Sequence, residues 1–240
     1  ALTVIARRHG YADAGECERQ HLLTAVWDDT ALGDARVRTG WHHGPYRLRV
    51  SLHAGRAVVE CRDALGPLTR IPAAVRHSDA YRDARATQRQ LTERYRLFKP
   101  YLEEAMLYER PLMLGQFRYL YSHPVFAHLA ERVLWQLPDG RTLLWSGDDR
   151  WETGDGERLA LMDAAPTLTL CVVHPVRLAV TVLAGWHVIA AERRLLQPFK
   201  QLFREMYTVQ PDDDTHCARF AGCRIAPGRA YAVLRAAGFA

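Results

Sequence analysis

Two histidine–proline pairs, His123-Pro124 and His174-Pro175, are the positions in this sequence best suited by residue type to proton chemistry. An imidazole titrates near neutrality, and a following proline holds the histidine backbone extended, which fixes the direction of its side chain. Such a histidine suits acid–base work, and it equally suits a polar contact that anchors the end of an element. A third segment, 197–207, opens with Gln197-Pro198 and carries Gln201 and Arg204 beside Phe199, Leu202, Phe203 and Met206. The apolar residues fall at helical spacing, so a short helix opened by Pro198 is predicted, with Phe199 and Phe203 buried on one stripe. Gln197, Gln201 and Arg204 flank that stripe. They can read a ligand or a partner backbone, or they can bond element ends, as a guanidinium fork does with carbonyls and carboxylates.

Other chemistries are poorly supported. The sequence has no Gly-x-x-x-x-Gly-Lys-Ser/Thr loop, no Gly-x-Gly-x-x-Gly, no Gly-x-Ser-x-Gly elbow and no His-Glu-x-x-His. His216, Cys217 and Cys223 offer three metal-type ligands, but five residues separate the cysteines, and His9 and Cys17 lie at the opposite end of the chain. Short zinc spacings are two to four residues, so no metal and no cofactor are expected. His42-His43 follows Trp41 in a Gly-flanked stretch and reads as an exposed turn pair, with stacking on a base as the functional alternative. The cysteines Cys17, Cys61, Cys171, Cys217 and Cys223 are odd in number and scattered, which suits reduced thiols in a cytoplasmic protein.

Composition sets the frame for these residues. A chain of 240 residues that is 48% hydrophobic can bury a sizeable core and is not disordered. It begins at Ala1 rather than Met, as an excised or processed segment would. The formal charge is +5, carried almost wholly by arginine. These arginines are interleaved with Asp and Glu, which reads first as a solvated surface and second as an anion-binding face. The longest apolar run, 178–191, contains His187 and is too short to span a bilayer, so no membrane association is expected.

The elements that must position the polar residues follow from periodicity. Residues 1–72 read as a mixed N-terminal subregion. It has a helix over 2–9, a strand over 46–53 where apolar and polar residues alternate, a turn at Ala54-Gly55, a strand over 57–61, and a third strand over 68–71. Residues 73–112 read as helical. Tyr81, Ala84, Gln88, Leu91, Tyr95, Phe98, Leu102 and Ala105 lie on one stripe, and Pro100 introduces a kink or a second helix start. Residues 113–240 form the main region. It has a helix over 125–131 and strands over 133–137 and 142–145 around Pro138-Asp139-Gly140. A loop over 148–157 follows, then a buried strand over 168–173, a helix over 178–196 and a closing helix over 229–237. The fold class is α+β, with short antiparallel hairpins, several helices and one long kinked helix near the middle.

His123-Pro124 followed by Leu134-Trp135 forms part of a wider pattern. So do His174-Pro175 before a helix with Trp186, the Gln197-Pro198-Phe199 segment, Arg219-Phe220, and Gly238-Phe239 at the end. From about residue 97 to 239 these motifs resemble a bacterial domain of unknown function, number 4132, found in molybdate metabolism regulator-like (MolR-like) proteins. The resemblance adds Arg219 to the polar cluster. Some proteins of that kind carry a Trp-Gly-Arg module that binds nucleic-acid ends, and no such module is present in this sequence. The resemblance implies a regulatory or interaction domain of a larger bacterial cytoplasmic protein, whose partner is another protein segment or protein. Two alternatives stand beside it. One is an enzyme with His123, His174, Gln201 and Arg204 in one cleft, and the other is a nucleic-acid-associated domain.

Overall fold

The computed structural model describes residues 37–53, 56–147, 150–161, 163–205, 222 and 224–236. By its contacts the chain divides into two compact units, Ala1–Arg204 and Glu205–Ala240. The helix expected over 2–9 and the turn at Ala54-Gly55 lie outside the described residues. The fold is α+β.

The first unit opens with an antiparallel sheet of β1 (Val37–His43), β2 (Tyr46–His53), β3 (Arg56–Asp63) and β4 (Gly66–Pro67), in that order. Alternation in β2 places Leu48, Val50 and Leu52 in the core. The register sets them opposite Cys61, Val59 and Ala57 of β3. His42-His43 is therefore the end of a strand rather than a turn pair. The strand was hidden by glycine: Gly40, at φ +133°, sits at a bulge between Thr39 and Trp41, and Gly44, at φ +53°, makes the tight turn into β2. The strand expected over 68–71 does not form. The Asp63 carboxylate accepts from the amides of Leu65 (2.8 Å) and Gly66 (3.1 Å), so the chain turns early; β4 pairs through Gly66 and Pro67, and the contact ends with the Leu68 amide donating to the Cys61 carbonyl at 2.8 Å.

After α1 (Ala73–Arg76), α2 (Asp79–Leu107) runs for 29 residues as one helix with Pro100 inside it. Ser78 caps it, its hydroxyl accepting from the Tyr81 amide at 3.2 Å. Ala84, Leu91, Phe98, Leu102 and Ala105 are buried along the predicted stripe. Gln88, the polar member of that stripe, donates to the Ala57 carbonyl of β3 at 2.8 Å and ties the helix to the sheet.

The second sheet is built from β5 (Leu112–Met113), β6 (Leu134–Gln136), β7 (Thr142–Trp145), β8 (Arg150–Thr153), β9 (Arg158–Ala160) and β10 (Thr169–Val172). Its order is β5-β10-β6-β7-β8-β9, with antiparallel pairing throughout. Two helices, α3 (Leu114–Tyr121) and α4 (Pro124–Ala130), precede β6. The stretch expected to be a loop over 148–157 contains β8. There Trp151 and Thr153 are buried while Arg150 is exposed, an alternation masked by the surrounding charges and glycines. Phe117 is the hub of the core. Its ring meets Trp135 at 5.1 Å and Trp145 at 5.3 Å edge-on, and Trp151 at 5.0 Å tilted. Such edge-to-face pairs are favourable because the positive ring edge meets the negative face.

A 3-10 turn at Pro175–Arg177 leads to α5 (Val180–Glu192), the helix chosen over a strand for this apolar run. Trp186 of α5 is buried and donates from Nε1 to Thr142 Oγ1 of β7 at 2.7 Å. In the second compact unit the described helix is α6 (Pro227–Ala236). No helix among the described residues is long and apolar enough to cross a membrane.

Candidate functional site

The segment after α5 contains the most specific sequence motif, and its two glutamines have the densest hydrogen bonding of the candidate residues. Gln201 is fully buried. Its Oε1 accepts from the Leu134 amide at 2.8 Å. Its Nε2 donates to the carbonyls of Leu134 (2.9 Å) and Val173 (2.8 Å). The fourth valence is filled by Gln197, whose Nε2 donates to Gln201 Oε1 at 3.0 Å. The side-chain amide thus acts as a short piece of backbone, closing the end of β6 against the residue that follows β10. An amide has just the two acceptor sites and two donors that this position requires.

Gln197 also explains why the predicted helix is absent. Its Oε1 accepts from the Leu202 amide at 2.9 Å, so that donor goes to a side chain instead of to a carbonyl one turn back. Residues 198–203 run as bends and turns, and no helix forms over 197–205. Without the helix the two phenylalanines separate. Phe199 is buried, whereas Phe203 is 56% exposed and stacks on His187 at 4.8 Å. The expected burial of Phe203 is therefore wrong.

Arg204 donates from Nη2 to Glu103 of α2 at 2.7 Å and from Nε to the Lys200 carbonyl at 3.0 Å. Its partners are a carboxylate and a carbonyl four residues back in the same irregular segment, not the carbonyl of an element end. His174 stands at the start of the 3-10 turn, and its Nδ1 accepts from the Val176 amide at 3.3 Å. Burial and then the positive charge of Arg204 lower its pKa, against the pull of Glu109. The ring is therefore held neutral, in keeping with a lone pair at Nδ1. Gln197, Gln201, His174 and Arg204 are thus linked through one neighbourhood around the end of β10. His123 has a different setting at the start of α4. It is buried, its ring 6.1 Å from Phe98 and 5.6 Å from Tyr119. Arg219, His216, Cys217 and Cys223 lie outside the described residues. Among the described residues no group of three or more His, Cys, Asp or Glu side chains gathers as metal ligands.

Two surfaces near this neighbourhood were not legible as sites. Gln197 and Pro198 line a cavity of about 320 Å³ together with Tyr95, Lys99, His128 and Arg132. Burial raises the pKa of the Tyr95 hydroxyl, opposed by the charge of Arg132, so it remains a neutral donor beside two cations. Lys99 and Arg132 give the cavity a cationic side, with Arg132 already paired to Glu131 at 3.8 Å. The second surface is the outward side of α5. Leu183, Trp186 and Ala190 face the core, while Val180, Val182 and Val188 are exposed, Val180 by 83%. Its signal in the sequence was an apolar run, 178–191, with almost no polar face.

Over residues 67–239 the chain matches the family described as Domain of unknown function (DUF4132), and it belongs to that family. No curated protein and no solved structure matches it. The match takes in Pro67 of β4, the six described helices and the six-stranded sheet, and begins after β3.

Proposed function

We propose that the chain is a regulatory or interaction module of a bacterial cytoplasmic protein, docking an apolar segment of a partner protein on the outward face of α5. The observation that carries this reading is the exposure of Val180, Ala184, Val188 and Ala191, which fall on one stripe of α5, with Phe203 exposed in the segment that follows. A helix against solvent ordinarily turns charged or polar side chains outward, and an apolar face marks an interaction site. The resemblance to molybdate metabolism regulator-like proteins points the same way. So does the use of Gln197, Gln201 and Arg204 in bonds that hold the fold. A photoreactive residue at Val188, introduced into the full chain in living cells, is expected to give a discrete protein adduct that the same group at Arg89 does not give. Val180→Asp in the same chain is expected to abolish that adduct. Equal adducts from both positions, or an adduct indifferent to Val180→Asp, would overturn the reading.

A second reading, an enzyme of unknown class, is favoured by the cavity of Gln197, Tyr95, Lys99 and Arg132. It requires a small anionic substrate. Lys99→Ala would then abolish a turnover that the α5 substitutions leave intact.

A further inference from the structure

The charge of this chain is gathered in one part of it. Residues 37–99 hold thirteen Arg and Lys against five Asp and Glu, a net of +8, while the remaining residues sum to −3. Within that stretch β2 and β3 carry arginines on the face turned away from α2. Leu48, Val50 and Leu52 point inward, so Arg47 and Arg49 point outward. Register pairs Arg49 with Glu60, and the two form an ion pair. One step along the strands, register pairs Arg47 with Arg62, and on the other side His42 of β1 with Arg47. All three side chains are exposed, and among the described residues neither Arg47 nor Arg62 meets a carboxylate.

Like charges directly opposite one another on neighbouring strands are destabilising. The row therefore works against the sheet by itself, unlike the Arg49–Glu60 row beside it. It would be relieved by an anion bound across it. At a strand spacing of about 4.8 Å the row spans roughly 10 Å, well over the ~3.4 Å axial rise per phosphate of one DNA strand. Guanidinium groups match phosphate oxygens in pairs, and the row offers two side by side with an imidazole next to them. A lipid surface is a poorer fit. Among the described residues Leu65, in the adjoining turn, is a lone exposed large apolar side chain there, and insertion into a membrane interface needs a broader apolar area.

We infer that the outer face of the N-terminal sheet binds the phosphate backbone of a nucleic acid through the row His42–Arg47–Arg62. The site lies before the family-matched residues 67–239 and is separate from the face of α5. Binding is directed at the backbone, so it is tolerant of sequence and steep in salt. The test is fluorescence anisotropy of a labelled 20-nucleotide duplex with the full chain between 50 and 200 mM NaCl. Each phosphate contact contributes about −0.9 to the slope of log affinity against log salt, so two contacts weaken binding roughly tenfold over this range. The double variant Arg47→Ala/Arg62→Ala is expected to lower the slope by about 1.8 and keep a melting temperature equal to or above that of the parent. Arg141→Ala, in the turn between β6 and β7, is expected to change neither. No binding at 50 mM, an unchanged slope in the double variant, or binding to anionic phosphatidylserine vesicles but not to the duplex would each overturn the inference. So would a lowered melting temperature in the double variant, which would mean that the arginines serve the fold.

Discussion

The two sheets of the first unit treat polar side chains in opposite ways. Around the six-stranded sheet they turn inward and are answered: Gln201 fills every hydrogen-bonding valence, Trp186 finds Thr142, and Arg204 finds Glu103. On the four-stranded sheet Arg47 and Arg62 turn outward and face each other across the strands. The comparison teaches that a motif resembling a reaction centre can be architecture, because buried amides and guanidinium groups are what open backbone ends require. Charge that looks bland when read along the chain can be a surface device once register stacks it.

The sharpest way to break the comparison is at the centre of the second sheet. Phe117→Ala removes the ring shared by Trp135, Trp145 and Trp151 and is expected to cost about 3–5 kcal/mol in denaturant unfolding. A loss below about 1 kcal/mol, the size of an ordinary substitution, would mean that the core does not hang on this hub. Next comes Gln201→Leu, which keeps the bulk but leaves the Leu134 amide and the Val173 carbonyl without their partner, while the Leu134 carbonyl keeps the Val173 amide. With each buried unsatisfied group costing about 1–3 kcal/mol, a total loss above about 2 kcal/mol is expected. A neutral substitution would return Gln201 to the list of ligand-reading residues.

The smallest effect is a pH dependence. The pKa of His174 is lowered by burial and by Arg204, so the unfolded chain takes up a proton that the folded one refuses. Stability is then complete above the ordinary value of 6.5 and declines as pH falls below it toward the depressed folded value. The melting temperature should drop further between pH 8 and pH 5.5 for the parent than for His174→Asn, since asparagine can still cap the turn without titrating. An identical drop in both would remove His174 from the account.

Much of the fold was legible because local rules and tertiary packing agree there. Tyr46–His53 alternates cleanly, and Gly140 after Pro138-Asp139 turns β6 into β7 with its φ at +89°. The stripe of α2 was legible down to Gln88, although its contact with Ala57 was not. Apart from β1, which its glycines hid, the failures come from a side chain or a partner strand overriding local preference. Helical spacing over 197–207 was real, but Gln197 intercepts the Leu202 amide. The strand β8 is visible only from Trp151, whose burial depends on Phe117, 34 residues earlier. At the site, residue types were readable and bonding partners were not, because Gln201 bonds residues 67 and 28 positions away.

That separation bears on how the chain is made. Leu134 leaves the ribosome 67 residues before Gln201. At about 5–20 residues per second, it waits roughly 3–13 seconds for the side chain that completes it. Val173 arrives first and its amide meets the Leu134 carbonyl, so what waits for Gln201 is the Leu134 amide and the Val173 carbonyl. The glutamine therefore closes this end of the sheet only after the segment beyond α5 has been synthesised.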